Sequence, residues 1–169
     1  MSEPLSRLLA IAEIASVFVG FAVFVSIIAS RPAMEKHDHS FKLFHVVNLG
    51  LLVIAASLFP VVLGGYEVQE STAWRISSGL FFFLNWVFII FANRMAKGGY
   101  RSAHARMRIM SSAAWVLEPL CQIPLLLCIA GLWQDLAAAF YLTAIVAVFF
   151  QILVIFVDLA TSLITSDAS

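Results

Sequence analysis

Apolar residues run along this chain in five long blocks, each closed by a short polar, glycine-bearing or proline-bearing break. The blocks extend from about Leu8 to Ser30, Lys42 to Leu63, Trp74 to Arg94, Ile109 to Leu132 and Leu136 to Leu163. A hydrocarbon core about 30 Å thick takes roughly 20 helical residues to cross, so each block is long enough for one span. Backbone N–H and C=O groups find no water inside lipid, which makes each span a predicted α-helix and not a lone strand. Arg31-Pro32, Gly64-Gly65-Tyr66 and Lys97-Gly98-Gly99-Tyr100 in the first three breaks are turn chemistry. The fourth break, Trp133 to Asp135, is so short that the last two helices are expected to form a tight antiparallel hairpin.

Basic residues in short loops stay on the cytoplasmic side, which gives the expected orientation. Arg31, Lys36 and Lys42 flank the first break, and Arg94, Lys97, Arg101, Arg106 and Arg108 flank the third, whereas the opposite side carries only Arg7 and Arg75. The N-terminus is therefore expected outside and the C-terminus in the cytoplasm. Tyr66, Trp74, Trp133 and Tyr141 then fall at the outer boundary, where an aromatic belt belongs. Met1 to Arg7 lacks a basic leader, and the apolar run after it is about twice the length of a signal-peptide core. It reads as an uncleaved first span.

Composition removes the soluble alternative. Hydrophobic residues make up 62% and charged residues 12%, against roughly 45–50% and 25% in a soluble domain. The expected fold class is all-α: an integral membrane bundle of five transmembrane helices, forming a single domain over residues 1–169. Net charge is zero and adds nothing, because the sign is segregated along the chain. Cys121 and Cys128 share a helix face but stand about 10 Å apart along it, too far to bridge, so both read as buried structural thiols.

Four features together, Glu13, Gly20-Phe21 in the first helix, the Trp74-Arg75 pair, and the stretch from Trp115 to Pro124, run over most of the chain. In these the sequence resembles small bacterial multi-pass inner-membrane proteins of unknown function. The resemblance implies a five-helix protein of a bacterial inner (plasma) membrane and carries no activity or functional residue with it.

Ionisable groups inside apolar runs are costly and point to a polar path or an internal lock. Glu13 and Glu118 are two such groups. Glu13 lies about 8 Å below the expected outer boundary, where it either guards a polar entry or binds a cation or proton, or else caps locally or pairs with Arg7 or Arg75. Beside it, Ala12, Ser16 and Gly20 recur every fourth residue and form a candidate helix-packing face. Glu118 is followed by Pro119, Gln122 and Pro124. Each proline frees the carbonyl four residues back, at Trp115 and Leu120, and free carbonyls beside a carboxylate are the raw material of an ion or proton site. Asn85 and Gln151 come to a similar depth and can join Glu118 and Gln122 in one polar layer, or serve as interhelical hydrogen-bond glue. Asn48 and Asp158 read as interfacial or capping groups.

Near the first break, His37, Asp38 and His39 with His45 have donors that zinc accepts, but their spacing matches no recognised site, and a solvated loop is expected. No histidine stands at mid-membrane to ligate haem, and no metal motif, nucleophile pair or phosphate cradle is present in the sequence. No cofactor, metal or catalytic residue is therefore assigned, and the chain is not read as an enzyme. Arg94, Lys97, Arg101 and Arg108 fall on one face if the helix continues, and form candidate contacts for lipid headgroups. The partners implied are the lipid bilayer and either further copies of the chain or subunits of a larger membrane complex; nucleic acid has no support beyond charge. The leading functional expectation is a small oligomeric ion or proton channel or porter, with Glu118, Gln122, Asn85 and Gln151 along the path and Glu13 at its mouth. The alternative is a non-catalytic accessory or scaffold subunit.

Overall fold

A computed structural model describes residues 3–28, 36–97 and 107–166. Among them are five α-helices and no strand: α1 (Glu3–Ile28), α2 (Lys36–Gly65), α3 (Glu70–Lys97), α4 (Met107–Ala130) and α5 (Ala137–Ser166), with a 3-10 turn at Gln134–Leu136 before α5. Four of the helices carry segments long and apolar enough to cross a membrane, at Glu3–Phe24, Lys42–Gly65, Glu70–Ala92 and Gln134–Thr161. In α4 the apolar segment is shorter, Val116–Ala130. The helices extend beyond most of the apolar blocks because hydropathy marks what lipid tolerates, whereas backbone hydrogen bonding continues until the chain chemistry stops it. His37, Asp38 and His39 thus belong to the first turns of α2, not to a loop.

Consecutive helices run antiparallel, which follows from contacts at one end of the bundle. The C-terminal half of α2, the start of α3, the end of α4 and the start of α5 meet where Tyr141 Oη donates to Ala56 O (2.7 Å) and Cys128 Sγ lies 3.6 Å from Trp74 O. Leu5 of α1 approaches Gly64 at that same end. The α4–α5 hairpin closes with Gly131 and Trp133 at φ 72° and 49°, and Arg75 Nε donates to Ile129 O (3.2 Å). That places a cation on the last carbonyls of α4, where the helix dipole favours it.

The core is the seam between α2, α3, α4 and α5, filled by Val53, Phe81, Leu125, Tyr141, Ile145 and Ile152. Helix α1 lies against α2 through Leu8, Ala15 and Ala22. The closest approach there is at Gly50, where an added Cβ would overlap Val19 Cγ2. Small residues let membrane helices approach this closely. Among the described residues, the expected packing face of α1 is used only at Ala12; Ser16 and Gly20 are exposed, and a Cβ at Gly20 would meet none of them within 4 Å.

Trp74 and Tyr141 correct the expected aromatic belt. Both are buried, 4% and 0% exposed, while Tyr66 and Trp133 at 78% and 65% face outward. The reason is a backbone defect in α2. Pro60 has no N–H, so the Ala56 carbonyl four residues back loses its helical donor, and the Tyr141 hydroxyl supplies it instead. The Trp74 and Phe81 rings close around Tyr141 at 5.6 Å and 5.9 Å.

Candidate functional site

Glu118, Asn85 and Gln151 stand near the midpoints of α4, α3 and α5, so three antiparallel helices bring them to one level. There they meet. Asn85 Nδ2 donates to Glu118 Oε1 (2.9 Å), Gln122 Nε2 donates to the same oxygen (2.6 Å), and Gln151 Nε2 donates to Oε2 (3.2 Å). Asn85 is 1% exposed and Gln122 9%. Buried polar side chains are stable when satisfied in this way, and N–H donors on both carboxylate oxygens solvate the anion inside an apolar bundle. Gln122 Oε1 is buried without a hydrogen-bond partner among the described residues.

The supply of groups follows from local structure. Gln122 lies one turn after Glu118 on α4, so its amide reaches back along the same face. Asn85 continues the buried stripe of α3 that carries Ser78 and Phe81. Helix α4 runs unbroken from Met107 to Ala130 through Pro119 and Pro124, with its carboxylate held from the side by amides of α3, α4 and α5.

Glu13 lies apart from this cluster. It is exposed on α1 and has no hydrogen bond or ion pair among the described residues. Both anticipated partners are engaged elsewhere, since Arg7 pairs with Glu3 and Arg75 caps α4. Arg94 is exposed near the end of α3, while Arg101 and the side chains of Lys97 and Arg108 fall outside the described residues, as do the side chains of His37, Asp38 and His39.

A second polar cluster was not anticipated. Lys42 Nζ stands 2.8 Å from Asp158 Oδ2, and the Lys42 side chain is only 4% exposed. Lys42 is thus a buried ion-pair partner and not a loop charge, and Asp158 is its counter-ion and not a helix cap. Without Lys42, seven basic residues still flank the two breaks expected to be cytoplasmic, against Arg7 and Arg75 on the opposite side. One turn deeper on α2, His45 is buried with its ring edge-on to Phe88 of α3, centroids 5.4 Å apart. The one sequence signal for the pair is that Lys42 opens the second apolar run and Asp158 lies inside the fifth, near the same end of the bundle. Cys121 and Cys128 are both buried free thiols. Among the described residues no group of three or more His, Cys, Asp or Glu side chains is arranged to hold a metal. No protein-family model, curated protein or solved structure matches this chain.

Proposed function

We propose that this chain is a small proton-handling channel or porter that works as an oligomer, with Glu118 as the group that takes up and releases the proton. In this reading all five helices cross a bacterial inner membrane, the N-terminus lies outside, and the end carrying Lys42 faces the cytoplasm. The observation that carries it is the amide cage: one carboxylate at mid-bundle, bonded by side chains from three helix positions on α3, α4 and α5. An amide has a donor on one side and an acceptor on the other. Turning Gln122 about its terminal bond presents Oε1, which now lacks a partner, to the O–H of a protonated Glu118. The cage therefore has a hydrogen-bonding answer to either protonation state, which a site fixed as a structural lock does not require.

The direct test is proton flux into liposomes loaded with a pH-sensitive dye, comparing native protein with Glu118→Gln. The substitution keeps the shape and one acceptor oxygen, puts an NH2 where a turned amide of the cage can accept from it, and removes the exchangeable proton. Flux is expected to disappear in a variant that remains folded and oligomeric. Native flux in that variant would sink the reading.

The scaffold reading draws on the exposed aromatic rings of Phe21, Phe24, Phe83, Trp86, Phe91 and Phe150, which suit packing against other membrane subunits as well as lipid. Absence of flux from folded native protein, with a partner retained through purification, would favour it.

A further inference from the structure

The Glu118 cage holds more oxygen than a proton needs. Glu118 presents two carboxylate oxygens, and Asn85, Gln122 and Gln151, whose N–H groups bond them, each carry a carbonyl oxygen at the other end of the same amide plane. One of these, Gln122 Oε1, is buried with no hydrogen-bond partner among the described residues, while Nε2 of the same amide stands 2.6 Å from Glu118 Oε1. A buried acceptor left without a donor is costly. Turning that amide end for end leaves its shape unchanged and sets its oxygen against the carboxylate, so two oxygens meet and a proton or a cation must lie between them. Exposure and charge narrow the choice of cation. Asn85 and Gln122 are buried, whereas Glu118 and Gln151 are half-buried, so the cluster is closed on its α3 side and partly accessible at the carboxylate itself. The donors on Glu118 are all neutral amides, and among the described residues no group of three or more His, Cys, Asp or Glu side chains gathers. One carboxylate neutralises one positive charge, and a divalent ion would leave a net charge in an apolar interior.

We infer that the cage also binds a dehydrated alkali cation, held by the Glu118 carboxylate and the turned amide oxygen of Gln122, with Asn85 and Gln151 supplying further oxygens. The inference rests on the proton-handling reading above, because cation and proton use the same carboxylate in turn. As the cation enters, the O–H bond of protonated Glu118 breaks and the proton leaves to water; one positive charge replaces another, and the bundle gains no net charge. Protein oxygens stand in for the ion's hydration shell, as carbonyl oxygens do in a selectivity filter. With neither proton nor cation on Glu118, the amides turn their N–H groups to the anion, which is the arrangement in the structure. The titratable groups on the surrounding elements are the buried Cys121 thiol of α4 and, toward the other end of α2, Lys42 and His45 with Asp158 of α5. Helix α3 adds the exposed Arg94 near that end.

The experiment compares sodium chloride with choline chloride, at equal ionic strength and one fixed pH, on the purified chain, and reads modification of the Glu118 peptide by a hydrophobic carbodiimide with mass spectrometry. The reagent attacks a protonated carboxyl, so an occupied cation site slows it. Sodium is expected to slow labelling in a saturable way, and Gln122→Leu to raise the sodium needed for half protection at least about tenfold. The ratio between the two salts is read within each variant. Labelling of Glu118 that sodium leaves unchanged overturns the cation site while the proton reading stands, because the labelled group still takes up a proton. Native protection in a folded Gln122→Leu overturns the assignment of its oxygen as a ligand. Proton flux that survives Glu118→Gln overturns the proton reading and the cation site with it. If the reagent does not reach the carboxyl, thermal unfolding in the same two salts decides, since an ion that binds only the folded state raises its stability. A sodium-specific rise that Gln122→Leu loses supports the site, and equal unfolding in sodium and choline overturns it. Gln151→Leu, on a different helix, carries the same expectation if Gln122→Leu fails to fold.

Discussion

Helices α2 and α5 are tied together twice, once in each half of the bundle, and the two ties are made differently. Toward the Trp133 end the tie is neutral: the Tyr141 hydroxyl satisfies the Ala56 carbonyl that Pro60 leaves free. Toward the other end it is charged, Lys42 against Asp158. A neutral bond to backbone changes little with conditions, because neither partner titrates near neutral pH. An ion pair held from solvent on the lysine side depends on both charges being present, because either one alone is a buried charge without compensation. The contrast teaches that the two ends of one helix pair are joined by different chemistry, one tie neutral and the other charged. Midway between them lies the Glu118 cage.

The sharpest way to break the comparison is to remove one member of the charged tie. Lys42→Met leaves Asp158 unpaired and is expected to destabilise the bundle by about 3–5 kcal/mol, whereas adding Asp158→Leu should recover most of that loss. Thermal unfolding in detergent, followed by loss of the monodisperse species, reads both. If the double variant were no more stable than the single, the pair would not be an electrostatic tie.

Gly50 offers an intermediate effect on α2 that touches neither tie. Gly50→Ala drives a Cβ into Val19 Cγ2, and overpacking of this kind costs about 1–3 kcal/mol. The loss should fall on the α1–α2 contact, so proteolysis or hydrogen exchange is expected to rise in α1 before α5. Uniform exposure of all helices would contradict that assignment. At the neutral tie, Tyr141→Phe removes one interhelical hydrogen bond, and such bonds in membranes are worth about 0.6–2 kcal/mol. Its stability loss should be the smallest of the three and nearly the same at pH 6 and pH 8.

Much of the central site is legible in the sequence. Helix ends can be counted from apolar blocks, so Asn85, Glu118 and Gln151 were assignable to one depth, and depth is what antiparallel helices convert into contact. The charged tie was illegible for a related reason. Lys42 borders the polar break, where a lysine ordinarily reaches water, and only the presence of α5 against α2 turns that side chain inward. Pro60 illustrates the same point with a backbone group. The sequence announces the missing N–H, but a hydroxyl 85 positions away from Ala56 supplies the bond, and nothing local to α2 names it. The aromatic residues near the Trp133 end divide likewise into Trp74 and Tyr141 inside and Tyr66 and Trp133 outside.

The amino-acid sequence by itself determined that the chain is helical and apolar, where its helices lie and at what level their polar residues sit, because hydropathy and the 1.5 Å rise are properties of each helix alone. Which face each helix turns to its neighbours was decided only by tertiary structure. That choice sends Glu13 outward, buries Lys42 against Asp158, and gathers three amides around Glu118. The physical reason is that, in helices apolar on nearly every side, no hydrophobic stripe marks the inner face, and the selection falls to close packing and a few specific polar bonds.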